Sequence, residues 1–317
     1  PDPHAGPTQI RIRVAAAGIN FADLLARVGL YPDAPKLPCV VGYEVSGTVD
    51  EVGAEATGFS VGDRVFAMPK FGGYTDTLVV DAAQAFAIPS GVSFETAAAL
   101  PVAYLTAYNM MLFTGHLREG STVLVHSAAG GVGIAAVELA KTRGCTILGT
   151  ASPSKHAFLR ELGCQHPIDS RGDYAEATRA IVGTRGVDLI LDPVGGASWT
   201  TGYDLLAPCG RLVAFGLSAA ASGTSRSLFH AAKQLLQVRR YSPMALMSDN
   251  KTVSGTNMGH LFDRLDLLRP QMEALVSMLT RGEIAPRVDK VFPFAEAAAA
   301  HQHLHDRKAI GKVLLAP

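Results

Sequence analysis

The sequence predicts an α/β protein in two parts: a β-rich domain and, inserted into it, a domain built on a doubly wound parallel sheet. Three observations carry this expectation. The first hundred residues read as short strands and turns, short apolar runs alternate with helical segments from about residue 105, and short β runs return near the C-terminus. The expected segments are 1–107 for the first part of the β-rich domain, 108–262 for the inserted domain, and 263–317 for a return helix and the completion of the first domain. A chain of 317 residues exceeds one ordinary core, so two domains are the default.

The elements follow in order. Ile10-Arg11-Ile12-Arg13-Val14 alternates cleanly, and Gly42 to Val52 and Val61 to Met68 are β-rich runs broken by Gly and Asp. Thr122 to His126 is a short apolar run, followed by a glycine-rich turn and a helix-period segment from Ile134 to Lys141. Thr146 to Thr150, Val187 to Asp192 and Arg211 to Gly216 are further strands, and Lys155 to Leu162 is a helix. A helix near Met272–Thr280 precedes the β runs Lys290–Pro293 and Gly311–Leu315.

Composition narrows the function classes. Hydrophobic residues make up 48% and charged residues 18%, which is globular. Lys plus Arg balances Asp plus Glu at 28 each, so no net field favours nucleic acid or an anionic membrane, and an anionic ligand must be caught locally. The four cysteines (Cys39, Cys145, Cys164, Cys209) form no close pair, which excludes a C-x-x-C knuckle and favours reduced thiols and a cytoplasmic location. No run of about 18 apolar residues occurs, and no signal-peptide pattern opens the chain. The chain begins on Pro1 rather than methionine, which leaves open a preceding strand or targeting segment.

The chemistry-bearing feature is Leu124-Val125-His126-Ser127-Ala128-Ala129-Gly130-Gly131-Val132-Gly133. It matches the dinucleotide fingerprint, with Ala128 in the first glycine's place, then Gly130 and Gly133. Small residues let the backbone turn tightly, let a pyrophosphate approach amide N–H groups, and let helix pack on strand. The anion then sits at the positive end of the helix dipole. An NAD site wants a carboxylate at the tip of the second strand, but the tip here reads Thr150-Ala151-Ser152-Pro153-Ser154-Lys155. Ser152 offers a hydroxyl and Lys155 a cation, which suits the 2′-phosphate of NADPH; the alternative for Lys155 is a solvated lysine at a helix N-terminus.

With these residues in view, the chain resembles the zinc-free, quinone-oxidoreductase-like branch of the medium-chain dehydrogenase/reductases, and within it the vesicle amine transport protein-like group. The landmarks are Ala17–Asp23, Leu30-Tyr31-Pro32, Gly42-Tyr43-Glu44, Tyr104–Tyr108, the Ala128–Gly133 turn, Asp192–Gly196 and Gly311-Lys312-Val313. The resemblance implies a GroES-like catalytic domain plus a Rossmann domain, with the active site in the cleft between them. Zinc-dependent relatives carry Cys where Asn20 stands and His where Tyr43 stands, and they have a four-cysteine lobe that is absent here. No metal is therefore expected.

The resemblance further implies that Asn20, Asp23, Tyr31 and Tyr43 lie near the nicotinamide or substrate. Neutral donors such as Asn or Tyr can stabilise the charge that hydride addition builds on a carbonyl oxygen, and a tyrosine can supply the proton. The alternative for Tyr31 and Tyr43 is packing with satisfied hydroxyls, and Asp23 is expected to orient the loop rather than act as a base. Thr106 resembles the family threonine on the nicotinamide side, and Asn257 in Gly255-Thr256-Asn257 matches a donor in the segment passing that ring. Phe215-Gly216-Leu217 ends a parallel strand, where ligands bind in open α/β sheets. The family often has a tyrosine near Ser170 flanking the adenosine phosphate, and it is absent here. Family likeness also suggests a homodimer through an edge strand near Val253.

Two features are read blandly. His301, His303 and His305 are taken as separate surface histidines rather than a metal cluster. Ser227–Met247 is taken as an apolar lid or channel wall rather than a membrane-touching segment. The leading function is NADPH-dependent reduction of a small quinone or enone. Its rivals are an enoyl-thioester reductase, with Arg239 and Arg240 meeting a carrier phosphate, and a non-catalytic NADPH-binding protein associated with vesicles or membranes.

Overall fold

The computed structural model describes residues 2–218 and 238–317, which divide into two compact units. One comprises residues 1–105 with 258–317, and the other residues 106–257. The sequence placed these breaks after 107 and 262.

The N-terminal part supplies β1 (Gln9–Ile19), β2 (Val45–Val52), β3 (Arg64–Ala67), β4 (Thr77–Asp81) and β5 (Ala85–Ala87). The middle supplies β6 (Thr122–Val125), β7 (Thr146–Ala151), β8 (His166–Asp169), β9 (Val187–Asp192), β10 (Leu206–Ala214) and β11 (Thr252–Gly255). The C-terminus adds β12 (Val288–Pro293) and β13 (Lys312–Ala316).

In the first unit the described strands pair in the order β12-β13-β1-β2-β3-β5, with β4 also on β1. The alternation in β1 sends Ile10, Ile12 and Val14 into the core, while Arg11 and Arg13 turn outward and share Asp50. Beyond Ala15 the pattern changes, and Ala16 to Ile19 are all buried. Ala16 packs there with Ala98 and Leu314. β4 covers only the first half of one edge of β1, from Gln9 to Arg13, and β13 takes the last three residues, Ala17 to Ile19. The C-terminal segment therefore returns to satisfy backbone groups that the N-terminal strands leave unpaired.

In the second unit the described strands run β8-β7-β6-β9-β10-β11, and every neighbouring pair is parallel. Counted from β6, this is the doubly wound order 3-2-1-4-5-6, which places the topological switch point between β6 and β9. Leu124, Leu148, Ile190 and Leu212, one from each of four strands, share a core cluster with Tyr203.

Several elements depart from the sequence expectation. The helix expected from Lys155 begins at His156, because Pro153 sets a 3-10 turn capped by Ser152 ahead of it. The helix expected near Met272 starts at Leu265 and carries Pro270 inside it. β8 and the helices Phe21–Arg27, Tyr174–Val182 and Ala197–Leu205 had no counterpart in the sequence reading. β8 contains Pro167, which an edge strand tolerates. Of the segment Ser227–Met247, residues 227–237 lie outside the described residues. In the remainder, Arg239 packs over Tyr203 and bonds Asp204, and the helix Pro243–Asp249 leaves Met244 and Met247 exposed.

Candidate functional site: a cofactor turn and a cluster of neutral donors

The glycine turn follows β6 and opens the helix Gly131–Lys141. Ser127 adopts φ +55° and is exposed, which swings the chain sharply out of the sheet. A Cβ on Gly133 would stand 2.3 Å from the Ser127 carbonyl oxygen, so only glycine lets the helix close this tightly on the turn. Gly130 is the helix N-cap, and a Cβ there would meet nothing nearer than 3.4 Å. Ala128 fills the first glycine's place because its methyl group occupies room left by Gly149 on β7; a Cβ on Gly149 would lie 2.8 Å from it. Ala128 and Ala129 are buried, while Gly130, Gly131 and Val132 remain accessible at the helix N-terminus. First-turn N–H groups without intrahelical acceptors then face the space in which a pyrophosphate would be held.

The tip of β7 splits its expected residues. Thr150 is 3% exposed, and its hydroxyl turns under the turn to accept from Ser127 N and pair with His126 Nδ1, both at 3.2 Å. It supports the turn rather than facing a ligand. Ser152 and Lys155 are half-buried at the tip, with the Ser152 and Ser154 hydroxyls 3.2 Å apart. Beside them, Ser170 N donates to Ala151 O at 2.9 Å, and Arg171, one residue on, lies 3.4 Å through Nε from the Asp169 carboxylate. Arg171 is a cation that the sequence reading missed because β8 was not recognised. The signal was present in Ile168-Asp169 ahead of Ser170, masked by Pro167.

Across the switch point, Asp192 ends β9 fully buried. Its Oδ1 accepts from Val194 N and Gly195 N, and its Oδ2 from Ser198 Oγ at 2.6 Å. Its backbone carbonyl accepts from Phe215 N, so the loop after β10 is tied to the one after β9. Phe215, Gly216 and Leu217 lie just past the end of β10, with Leu217 against Gly195. Buried His126 stands 4.0 Å from Asp192 through Nε2, beyond hydrogen-bond reach, and burial lowers its pKa against the opposing pull of that carboxylate. In the same unit, Thr106 is buried near its start and Asn257 is exposed at its end.

The first unit gathers the other expected residues. Asn20 caps the helix Phe21–Arg27, and Asp23 reciprocates by accepting from Asn20 N at 2.7 Å. Asp23 is wholly buried and also accepts from Gly42 N at 3.0 Å and from the Tyr74 hydroxyl at 3.1 Å, which in turn pairs with His301 Nε2. Burial raises the Asp23 pKa to about 7 against the lowering effect of these donors. Asp23 thus ties the helix start to the Gly42–Glu44 segment.

Asn20 also gives Nδ2–H to Glu44 Oε1 at 2.9 Å and accepts from Lys312 Nζ at 2.8 Å. Lys312 Nζ lies 2.5 Å from the same Glu44 oxygen, and Glu44 Oε2 accepts from Val102 N at 2.7 Å. Tyr43 is 3% exposed, and its hydroxyl has no hydrogen-bond partner among the described residues. Its ring packs at 5.0 Å on Phe71 and about edge-on to Tyr31 at 6.3 Å, with Phe262 at 6.2 Å. Burial pushes the Tyr43 pKa well above the usual phenol value, so the hydroxyl is neutral. This donor set does not fit zinc: an amide and a neutral phenol replace Cys and His, and the carboxylate is held by a lysine.

The three C-terminal histidines go to separate partners: His301 to Tyr74, His303 to Asp289 at 2.7 Å, and His305 to Asp306 at 3.9 Å. No helix of the described residues is long and apolar enough to cross a membrane.

A β-rich unit closed by its own C-terminus, with a parallel 3-2-1-4-5-6 sheet and a glycine turn at its switch point, is the architecture of the two-domain dehydrogenases. Residues 6–90 match the model described as an alcohol dehydrogenase GroES-like domain, and residues 162–315 match one described as a zinc-binding dehydrogenase. The chain is 41% identical over 309 residues to the synaptic vesicle membrane protein VAT-1 homolog of Danio rerio, covering 97% of this chain and 64% of that relative. It is 35% identical to the quinone oxidoreductase of Pseudomonas aeruginosa, covering 98% and 92%. Among solved structures it superposes on Escherichia coli quinone oxidoreductase complexed with NADPH, with TM-score 0.87, 29% identity and 100% and 94% coverage. It also superposes on the CurK enoyl reductase, with TM-score 0.86, 28% identity and 100% and 93% coverage.

The chain belongs to the medium-chain dehydrogenase/reductase family, in the zinc-free branch with the VAT-1 homologues and quinone oxidoreductases. It spans 64% of the length of its zebrafish relative and 78% of that of the mouse VAT-1 homolog.

Proposed function

We propose that the chain binds NADPH and reduces, without a metal, a small quinone or α,β-unsaturated carbonyl. The observation that carries this reading is the Ser127–Gly133 closure of the turn together with a β7 tip, Thr150 to Lys155, that bears Ser152 and Lys155 and no carboxylate of its own; Asp169, opposite Ala151 on β8, is paired with Arg171. Bound NADPH supplies the hydride. The helix start at Gly130–Val132 would hold the pyrophosphate, and Ser152, Lys155 and Arg171 the 2′-phosphate. The neutral Tyr43 hydroxyl, free of any protein partner among the described residues, would give its hydrogen bond to the oxygen on which charge develops. Asn20 has one amide N–H left after bonding Glu44 and would add a second donor. Thr106, Phe215 to Leu217 and Asn257 are proposed to line the nicotinamide side. A homodimer is proposed through β11, which contains Val253 and is the last of the described strands of its sheet.

Two rival readings have support. The likeness to an enoyl reductase favours an enoyl-thioester as acceptor. In that case Arg240 is the cation for a carrier phosphate, since Arg239 is engaged by Asp204. The likeness to synaptic vesicle membrane proteins favours a cofactor-binding protein without turnover. Oxidation of 4-deuterated NADPH with each acceptor separates the three. Deuterium recovered on the β-carbon of a reduced enone, or quinone-dependent NADPH oxidation with hydroquinone formed (whose hydroxyl deuterium exchanges with water), supports the first reading, and label recovered only in a reduced thioester supports the second. Tight binding with no NADPH oxidised by any acceptor leaves the third.

A further inference from the structure

The cofactor turn occupies the carboxyl end of the parallel sheet. At the amino end of the same sheet lies a separate cavity of about 260 Å³, formed within the second unit. Its walls include Ser121, the residue before β6; Asp188, near the start of β9; Arg211, on β10; and His116 and Arg118, from the connection that precedes β6. Neither the Arg118 nor the Arg211 guanidinium has an anionic or hydrogen-bonding partner among the described residues, whereas Arg11, Arg13, Arg264 and Arg281 are each paired with a carboxylate. The lining carboxylate does not neutralise them. Asp188 Oδ2 accepts from Thr122 N at 2.7 Å and lies 3.6 Å from Arg185. The Ser121 hydroxyl is likewise without a partner, and Arg211 is half-buried.

We propose that this cavity is a binding site for a small oxyanion of the phosphate class, held by Arg118 and Arg211. Two arginines, Arg118 exposed and Arg211 half-buried, line one concavity with neither guanidinium matched by protein among the described residues, and they leave a local positive potential on a chain whose net charge is zero. Planar N–H forks suit the oxygens of phosphate, and Ser121 and His116 add further donors. The volume lies just below the usual range of ligand pockets and is too small for a dinucleotide, so the occupant is inorganic phosphate or a compact phosphomonoester.

Cys209 provides the readout. It is exposed, lines the same cavity, and stands at φ +63° where β10 departs from regular pairing with β9. The experiment titrates the full chain with inorganic phosphate at constant ionic strength and follows alkylation of Cys209 by peptide mapping, with Cys39 as the internal reference. The expected result is saturable slowing of alkylation at Cys209 and none at Cys39. Arg118→Gln and Arg211→Gln should each raise the half-saturating phosphate concentration about tenfold. Lys155→Ala, which alters the proposed cofactor phosphate site, should leave it unchanged. Cys209 protection that is absent, does not saturate, survives in the double arginine variant or vanishes in Lys155→Ala overturns the proposal. Equal NADPH binding by the wild type and the arginine variants shows that they fold, whichever way the protection falls.

Discussion

Lys312 Nζ lies 2.5 Å from Glu44 Oε1 with both side chains buried, joining the last strand of the chain to the segment that carries Tyr43. The same ammonium group bonds Ile19 O and Asn20 Oδ1, so one lysine organises both the Glu44 carboxylate and the Asn20 amide. Removing one partner of a buried pair leaves an uncompensated charge. Lys312→Met is expected to cost about 3–5 kcal/mol in urea unfolding, and Glu44→Gln with Lys312→Met together less than the sum of the two single changes. Strict additivity would show that the pair is not coupled.

Tyr43 allows stability and chemistry to be separated. Its buried hydroxyl lacks a partner in the structure, so Tyr43→Phe should leave unfolding free energy unchanged or raise it by roughly 1 kcal/mol. If the hydroxyl serves the developing oxyanion, kcat should fall about 100-fold with little change in KM. Full kcat in Tyr43→Phe would remove the tyrosine from the chemistry.

The two glycines of the turn should behave differently. Gly133→Ala places a methyl group 2.3 Å from the Ser127 carbonyl and should abolish binding of NADPH and NADH alike, whereas Gly130→Ala, at 3.4 Å, should fold and bind measurably. Calorimetric titration of both variants checks this, and equal behaviour would contradict the packing argument.

Asp23 predicts a pH dependence with a definite sign. Its pKa rises from 3.8 to about 7 on folding, so the native state holds a proton that the unfolded chain has released across that interval. The stability it contributes is complete below 3.8 and is lost as pH rises through about 7, by at most about 4 kcal/mol. Wild-type unfolding free energy should therefore decline relative to Asp23→Asn between pH 4 and 7. Parallel profiles would contradict the assignment.

Legibility in the sequence followed regularity. β9 was read with its observed limits, and the glycine turn was placed between its strand and helix, because apolar run, small residues and helical period agree there. Pro167 broke the pattern of β8, and with it the approach of Arg171 to the β7 tip was lost. Thr150 looked like a ligand because it stands at that tip, but strand alternation points its hydroxyl under the turn. The Lys312–Glu44 pair spans almost the whole chain, and no local pattern announces it. His301 and His305 are four residues apart, yet His301 is drawn to Tyr74 while His305 stays by its neighbour Asp306.

The cofactor preference turns on the β7 tip. Lys155→Ala and Arg171→Gln should each weaken NADPH about tenfold or more while leaving NADH nearly unchanged, as read by fluorescence titration. Equal loss for both cofactors would reject the 2′-phosphate role.

The most direct measurement of the central claim is the initial rate of NADPH oxidation by the chelator-treated chain with an ortho-quinone or enone, alongside NADH. The account predicts turnover that chelation does not reduce and a kcat/KM at least about tenfold higher with NADPH. Activity lost on chelation and restored by zinc, or no oxidation with any acceptor despite tight cofactor binding, would contradict it.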